Sequence, residues 1–572
     1  MSAFKKPCMT LSGSQGEKWF FLFGIIVVIG SVLTNFLALR NNLIYSDEGW
    51  YLCMLRDLPN DPSLGSRFFL LFKNVFHNNV YLIRVTCWAL SLLSCGILSY
   101  GLLSLTVHSA DRKARLAWWF LIFSTLYYGQ LFIVACPSFN YITLNKIAAE
   151  LGLGFLFIGL SREKAYPFLL LSGFFASFLF PIMATNLSLI PFLVIAICLM
   201  SKRERILRNC LFFFMGMVLF ALYYCLFVET PSEVLAFFRT NTSDAVSKGD
   251  AQYGFLFYLK WMGGTILYLL KCFFVGGILF FGGRLIKRVA ASWSELIVWM
   301  FIGAFSGCVL LVSYLFIPPT FPFPSRQFGS FYWPNDLWWI LLSALLIAMA
   351  FDKQYLRKQE VVVILLLTLT PLCLSLGSNM DFYVRQNEYV FLIVPAIVYL
   401  TIHYKKSALW RVAFFSIVLL KMGLFAVEAR GHNWNGDAFF GKHIPASSIG
   451  IDQQINLTQR DVDLLTDFER VVPQGETVLI DSQNWSVVVL KDYKPVSYEF
   501  ELFRRPAPVI GRTIHNTVEE QGHIWVVGSK YNHTFYDKME QLEGYRMEID
   551  TLSNNLYYYL TLPEPHFEGI NE

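Results

Sequence analysis

Two adjacent carboxylates, Asp47 and Glu48, lie in the segment of this chain that is richest in groups able to do chemistry. A carboxylate within hydrogen-bond reach of a hydroxyl can take its proton, so this pair could do general base chemistry. The other interpretation is structural, with Asp47 as a helix N-cap and Glu48 as a first-turn acid that complements the helix dipole. The segment reads Tyr45-Ser-Asp47-Glu48-Gly-Trp50-Tyr51-Leu-Cys-Met-Leu-Arg56-Asp57.

Two arginines elsewhere in the chain are suited to binding phosphate. Arg385 lies in an aromatic-rich segment late in the chain, and a guanidinium can bind two phosphate oxygens at once. The alternative is an interfacial arginine that snorkels towards water beside an aromatic belt. Arg326, in the Pro-rich loop 318–331, could make a second phosphate contact, although such a loop is more often a lid or a structural turn.

Asn140 and Tyr141 open an apolar run and are further candidates for substrate binding. Lys146 and Glu150 follow, four residues apart. Charged residues inside a membrane are costly and often functional, yet residues at this spacing also form plain ion pairs along one helix face. The sequence leaves both interpretations open.

The composition says which elements must position these residues. The chain has 572 residues, of which 55% are hydrophobic and only 15% charged, whereas soluble proteins carry about 25% charged residues. This excludes a disordered, collagen-like or nucleic-acid-coating protein and predicts a multi-span membrane protein. An apolar run of about 20 residues crosses a bilayer. About thirteen runs are long and apolar enough to be predicted as membrane spans: 19–39, 81–105, 116–135, 142–160, 166–182, 187–200, 207–228, 255–283, 295–317, 334–351, 361–378, 388–403 and 410–428.

Charge predicts the orientation and two domains. Basic residues are concentrated in alternate gaps between the runs, starting with the N-terminus, so these gaps are cytoplasmic by the positive-inside rule. An odd number of spans then places the C-terminus outside. Residues 430–572 contain 12 Lys+Arg and 21 Asp+Glu, a net charge of −9, against +14 for the remainder. We therefore expect a membrane domain, 1–429, with an outer loop at 40–80, and an outer domain, 430–572.

The acid pair then begins a few residues beyond the first span, at the outer surface. Glu48, Tyr51 or Leu52, and Leu55 fall on one helical face. This spacing predicts a helix that lies on the membrane surface and starts at Asp47.

The outer domain has the sequence pattern of an α/β fold. Strands are predicted at 476–481, 485–490, 523–528 and 555–562, and amphipathic helices at 462–471 and 534–542. We find no catalytic signature there. The eleven cysteines all lie between Cys8 and Cys373, without a C-x-x-C pair, and are typical of apolar packing residues rather than of a disulfide framework.

The chain resembles the GT-C superfamily of membrane glycosyltransferases, which use polyprenyl-phosphate sugars. The resemblance rests on three features together: the acid pair after the first span, a total of about thirteen spans and the outer α/β domain. The pattern Asp-Glu-x-x-Tyr-x-x-x-x-Arg-acidic resembles the first outer loop of lipid A aminoarabinose transferases and, more loosely, of protein O-mannosyltransferases. It is carried here by Asp47, Glu48, Tyr51, Arg56 and Asp57. The segment from Arg385 through Tyr389 to Pro395 is similar to a loop-to-span pattern of the same superfamily.

The resemblance implies that an acceptor hydroxyl displaces a sugar from a lipid phosphate, with inversion at the anomeric carbon. Asp47 would be the base, and Glu48 would orient the acceptor or help to hold a divalent metal ion. Tyr51, Arg56 and Arg385 would contact the substrates, because the departing phosphate needs positive charge from Arg, Lys or a metal.

The metal is the one cofactor that the resemblance implies. Metal-assisted relatives place an acid in the loop before the fourth span, where this chain has Pro137-Ser-Phe-Asn140 and no carboxylate. This departure puts a bound metal in doubt.

The expected partners are a polyprenyl-phosphate-linked sugar donor, a lipid, glycan or protein acceptor and the bilayer, with no nucleic acid. The resemblance places the chain in a bacterial cytoplasmic membrane, with the sugar moved on the outer face. Two other functions stay open. A lipid-linked polysaccharide polymerase or ligase would not need the acid pair after the first span. A transporter or flippase often shows internal repeats with matching broken helices, and we find none in this sequence.

Overall fold

The structure is a computed structural model. It describes residues 47–57, 79–106, 140–162, 166–182, 184–235, 255–290, 292–316, 326–375, 389–403, 442–481, 484–497, 507–529, 532–542, 544–552 and 555–562, with isolated positions before 42, at 76, between 116 and 127 and at 503. The chain divides into two compact units. The first comprises Met1–Val32, Ala89–Val134 and Tyr141–Val427, and the second Leu33–Trp88, Ala135–Asn140 and Glu428–Glu572.

Helices make up most of the described chain. In chain order they are α1 (Asp47–Asp57), α2 (Val80–Thr106), α3 (Tyr141–Ser161), α4 (Tyr166–Ser177), α5 (Leu179–Ile182), α6 (Leu189–Met200), α7 (Ile206–Phe227), α8 (Phe255–Val289), α9 (Glu295–Phe316), α10 (Arg326–Phe351), α11 (Lys358–Ser375), α12 (Val394–His403), α13 (Gln459–Val471), α14 (Trp485–Leu490), α15 (Ala507–Gln521) and α16 (His533–Glu540). Short 3-10 helices cover Ala184–Ser188, Arg203–Arg205, Val390–Ile393 and Ala446–Ile449.

Five helices in the described part of the chain are long and apolar enough to cross a membrane: Val80–Leu105, Tyr141–Ser161, Arg203–Phe227, Met262–Val289 and Lys358–Ser375. Shorter apolar helices cover Tyr166–Ile182, Asn186–Met200, Met300–Ser313, Asp336–Phe351 and Val390–Thr401. All of these lie on predicted spans. The predicted spans 19–39, 116–135 and 410–428 fall wholly or largely outside the described residues, so the count of about thirteen stays a prediction.

The outward side chains of these helices are those of a lipid-facing surface. On α7, Leu207 is 84% exposed, Leu226 72% and Phe227 76%. Water would penalise the exposure of so many large apolar side chains, whereas the hydrocarbon core of a bilayer does not. The structure therefore confirms a mostly helical architecture with five candidate membrane helices among the described residues.

Close helix packing in the first unit depends on glycine. A Cβ atom added at Gly173 of α4 would overlap the backbone carbonyl of Phe213 in α7, and one added at Gly216 of α7 would overlap that of Leu170 in α4. Small residues let two membrane helices bring their backbones together, where dispersion replaces the missing hydrophobic driving force.

The apolar run 166–200 is broken where the sequence predicts it, at Pro181-Ile-Met-Ala-Thr-Asn186. Helix α4 ends at Ser177, a single turn of helix follows, and the chain passes through a 3-10 segment before α6 begins at Leu189. A proline lacks the amide hydrogen that helix propagation needs. The break brings Asn186, which is fully buried, into the interior of the first unit.

The C-terminal segment forms an α/β domain, as predicted. Its strands are β1 (Ile444–Pro445), β2 (Asn456–Leu457), β3 (Thr477–Ile480), β4 (Lys494–Pro495), β5 (His523–Ser529), β6 (Arg546–Leu552) and β7 (Asn555–Thr561). The main sheet has the order β4-β3-β5-β7-β6. Strands β4, β3 and β5 run parallel, while β7 is antiparallel to β5 and to β6. Its core joins Ile510 and Ile514 of α15 to Ile524 and Val526 of β5.

Most predicted elements of this domain are confirmed, but the strand predicted at 485–490 is wrong. This segment is helix α14, which makes the short crossover between the parallel strands β3 and β4. Trp485 through Val488 are all buried, and a short run that is apolar on every side has no period that separates a strand from a buried helix. Helix α15 and strand β6 were not predicted at all.

Candidate functional site

The acid pair stands at the start of a helix, as predicted. Helix α1 begins at Asp47, so both carboxyl-bearing residues belong to the first turn, where the helix dipole favours negative charge. The side chains of Asp47 and Glu48 lie outside the described part of the structure, and their catalytic and metal-binding roles stay predictions.

The middle of α1 is embedded in the second unit. Tyr51 is 5% exposed, Leu52 4%, Cys53 0% and Met54 1%. Four consecutive buried residues cover more than one face of a helix. Helix α1 is therefore buried over more than the single apolar face that the sequence predicts. Tyr51, predicted to contact substrate, is packed in the interior of its unit.

Arg56 was predicted to contact substrate and is found bonded to the C-terminal domain. Its Nη1 donates to the carbonyl of Val488 at 3.2 Å and to Oδ1 of Asp492 at 3.0 Å, and its Nη2 donates to the carbonyl of Tyr493 at 2.9 Å. The side chain is only 12% exposed. The three acceptors lie at and just after the end of α14, where helix carbonyls lack partners within the helix.

A buried polar chain crosses the first unit. The amide Nδ2 of Asn186 donates to Oδ1 of Asn145 at 2.7 Å, and Nδ2 of Asn145 donates to the hydroxyl of Tyr389 at 3.3 Å. All three residues are 0% exposed. Oδ1 of Asn186 is buried and has no hydrogen-bond partner among the described residues. The chain ties α3 to the two 3-10 segments that begin at Ala184 and Val390.

Lys146, next to Asn145 on α3, is a buried cation. Its side chain is 8% exposed, and its Nζ lies 5.7 Å from the centre of the Phe391 ring. Within the described residues it has no ion-pair or hydrogen-bond partner. A buried ammonium without a counter-ion costs several kcal/mol, at roughly the scale of a charged residue inside a bilayer.

Glu150 does not serve as the counter-ion of Lys146. Its carboxylate accepts from the hydroxyl of Ser94 at 2.5 Å and lies 3.7 and 3.8 Å from Sγ of Cys95, both on α2. The plain ion pair considered from the spacing is therefore not formed between these two described residues.

The remaining predicted residues are placed as follows. Asn140 precedes α3 and Tyr141 is its first residue, both half-buried. Arg326 is the first residue of α10, and its side chain is not among those described. Arg385 lies outside the described residues. Sequence reasoning did not select Asn145, Asn186 or Tyr389 as site residues, although each is a hydrogen-bonding side chain near the end of an apolar run, which is a usable signal.

The described residues do not show a metal site. No group of three or more His, Cys, Asp and Glu side chains that could hold an ion occurs among them. Glu48, the predicted ligand, has no described side chain. A bound metal therefore stays a prediction.

The fold and the buried polar groups define a class, an integral membrane protein with many apolar helices and a C-terminal α/β domain. No family model matches the chain, and no curated protein matches it. Among solved structures, it is similar to the oligosaccharyltransferase of Archaeoglobus fulgidus in complex with Zn and sulfate. The TM-score is 0.46 and the identity 12%, over 93% of this chain and 72% of that chain. A likeness this weak shows no family.

Proposed function

We propose that this protein is a membrane glycosyltransferase of the GT-C type, which transfers a sugar from a polyprenyl-phosphate carrier to a lipid, glycan or protein acceptor on the outer face of a bacterial cytoplasmic membrane. The observation that carries the proposal is the buried ammonium of Lys146, which has no anionic partner among the described residues. The acid pair Asp47-Glu48 and its resemblance to the first outer loop of that superfamily support it.

A lipid phosphate is the anion that best suits Lys146. The residue is five positions beyond the start of α3, which corresponds to about 7.5 Å along the helix axis. By the predicted orientation, α3 starts at the outer surface, so this depth lies just beneath the headgroup region. A phosphate carried on a prenyl chain reaches this depth from the bilayer, where a soluble anion would have to leave water. Its charge would offset the cost of burying the ammonium.

The proposed reaction assigns each residue a separate role. The Asp47 carboxylate takes the proton of the acceptor hydroxyl, and the acceptor oxygen forms a bond to the anomeric carbon as that carbon's bond to the phosphate oxygen breaks. The electron pair of the broken bond stays on the phosphate, whose charge needs a cation such as Arg, Lys or a metal ion. Arg385 is proposed as a further phosphate contact, with Arg326, Asn140 and Tyr141 as further substrate contacts.

Sugar transfer by the purified protein in detergent tests this proposal. A panel of radiolabelled polyprenyl-phosphate sugars is offered with membrane extract as acceptor, comparing wild type with Asp47→Asn and with Asp463→Asn, an exposed acid of α13 that serves as control. We expect transfer, or slow donor hydrolysis, to be lost only in Asp47→Asn while its thermal stability is retained.

Equal activity in all three proteins would remove Asp47 from the mechanism. Absence of both donor binding and turnover across the panel would overturn the proposal in favour of the polymerase, ligase or transporter alternatives.

A further inference from the structure

The loop that carries the acid pair is bonded to the C-terminal domain at both ends, within the second unit. At its start, the amide of Asn456 donates to the carbonyl of Arg40 at 2.6 Å, and the Asn456 side chain donates to Oδ1 of Asn41 at 2.9 Å. At its end, the amide of Val80 donates to Oε1 of Gln453 at 3.1 Å. Residues far apart in sequence thus support both ends of the predicted outer loop.

Between these ends, α1 packs against α14 of the same domain. Helix α1 has only 11 residues, and isolated helices shorter than about 12–15 residues are marginal in water. Packing of the buried segment Tyr51–Met54 and the hydrogen bonds of Arg56 therefore contribute to its stability. The three acceptors of Arg56 lie on the carboxyl end of α14 and on the turn that follows it.

The acceptor side of this contact is itself rigidly held. Tyr493 is fully buried, and its hydroxyl donates to the carbonyl of Val472 at 2.9 Å. Its ring lies against Phe468 of α13, with 4.9 Å between centroids. The preceding Lys491 forms an ion pair with Glu469 at 2.7 Å. The Tyr493 carbonyl that accepts from Arg56 therefore belongs to a segment that is fixed against α13. Its position is set by the C-terminal domain and not by α1.

We propose that the C-terminal α/β domain positions the acidic helix α1, and that Arg56 is the positioning residue that couples the two. The catalytic meaning of this coupling depends on the proposed function, while the coupling itself does not. Arg56 thereby acts through α1 and does not bind the donor phosphate. A planar guanidinium with several donors suits three divergent acceptors, whereas a lysine ammonium cannot span them in the same way.

The contributions of the three described acceptors are unequal. The Asp492 side chain is 87% exposed, and exposed ion pairs contribute little because water screens them. The carbonyls of Val488 and Tyr493 are backbone groups at a partly buried site. Loss of the Asp492 carboxylate should therefore be tolerated, while loss of the guanidinium should not.

Hydrogen–deuterium exchange of the full-length protein in detergent tests the coupling without relying on enzyme activity. We compare Arg56→Gln and Arg56→Lys with Asp492→Asn, which removes the carboxylate charge and keeps a side chain that tolerates the left-handed backbone of this position (φ 56°), and use Arg512→Ala, an exposed arginine of α15, as control. Arg56→Gln should raise amide exchange in residues 47–57 by about tenfold or more, because it removes charge-assisted hydrogen bonds. Amide exchange of α1 in Arg56→Lys should lie between that of wild type and that of Arg56→Gln. The Asp492 and Arg512 variants should exchange like wild type.

Binding of unlabelled polyprenyl phosphate supplies the discriminating readout. Positioning predicts unchanged affinity for this lipid in Arg56→Gln, together with a lower kcat at unchanged donor KM wherever transfer is measurable. Unchanged exchange in α1 combined with weakened lipid binding would overturn the proposal and make Arg56 a phosphate ligand. Raised exchange in a protein without transferase activity would uphold the coupling while contradicting the proposed function, so the two failures are distinguishable.

Discussion

Replacement of Lys146 by methionine should make the protein more stable while weakening donor binding. The Lys146 side chain is 8% exposed and its ring contact with Phe391 measures 5.7 Å. A lysine at the centre of a membrane helix costs about 2.5–3.5 kcal/mol on insertion scales, and less near a helix end. Loss of the cation–π contact with Phe391 would reduce that gain in stability by about 0.5–1 kcal/mol. The net expectation is a gain of about 1–2 kcal/mol in the free energy of unfolding without ligand.

The effect on the ligand has the opposite sign. A hydrogen bond to a charged group contributes about 1.5–3 kcal/mol, so Lys146→Met should weaken binding of polyprenyl phosphate about tenfold to a hundredfold. Such opposite changes in stability and affinity are typical of a residue kept for function at the expense of stability. A residue that only packs would lose stability and leave the affinity unchanged.

Two measurements on the same detergent preparations check this prediction. Unfolding in mixed micelles gives the stability, and equilibrium binding of a labelled polyprenyl phosphate gives the affinity. Lys146→Arg should retain binding, because the positive charge remains. Lys287→Met, at an exposed position in the last turn of α8, is the matched control and should change neither quantity. A destabilised Lys146→Met protein with unaltered lipid affinity would refute the reasoning.

Two further predictions concern packing and pH. Gly173→Ala should lower the free energy of unfolding by about 1–3 kcal/mol, because its Cβ would overlap the carbonyl of Phe213 and force the helices apart; thermal unfolding in detergent measures this. Burial raises the pKa of Asp461 from 3.8 to about 7, against the opposing backbone hydrogen bond from Thr458. Folding therefore favours the protonated acid, and stability of the C-terminal domain should fall as the pH rises from about 4 to 7, by at most about 4 kcal/mol. Asp461→Asn should remove that dependence, as followed by amide exchange of α13 corrected for intrinsic rates.

Each of these has an internal control. Gly303 of α9 has nothing within 4 Å of its added Cβ, so Gly303→Ala should be neutral or stabilising by up to about 1 kcal/mol. A loss of stability equal to that of Gly173→Ala would contradict the packing argument. For Asp461, an Asn side chain can still accept from the Thr458 amide, so the helix cap is retained. A stability difference between wild type and Asp461→Asn that stays constant from pH 5 to 8 would contradict the predicted linkage.

The apolar helices and the start of α1 could be predicted from the sequence because they depend on local properties of the chain. Transfer of a run of side chains into hydrocarbon adds up residue by residue along the chain, and every described apolar helix falls on a predicted span. The break near Pro181 follows from a missing amide hydrogen, and strands β3, β5 and β7 from short apolar β-branched and aromatic runs.

The partners of the polar groups depended on tertiary structure. Arg56 bonds to residues more than 430 positions away, and Asn145 bonds to Tyr389 across 244 positions. Nothing in local spacing encodes which distant acceptor a donor will meet, because that choice depends on how whole elements pack. For the same reason, α14 is a helix although its short apolar run suits a strand equally well, and Lys146 has no ion pair with Glu150 although the spacing allows one. Local free energies determined which segments form long apolar helices, and long-range packing decided which distant partners satisfy the buried polar groups.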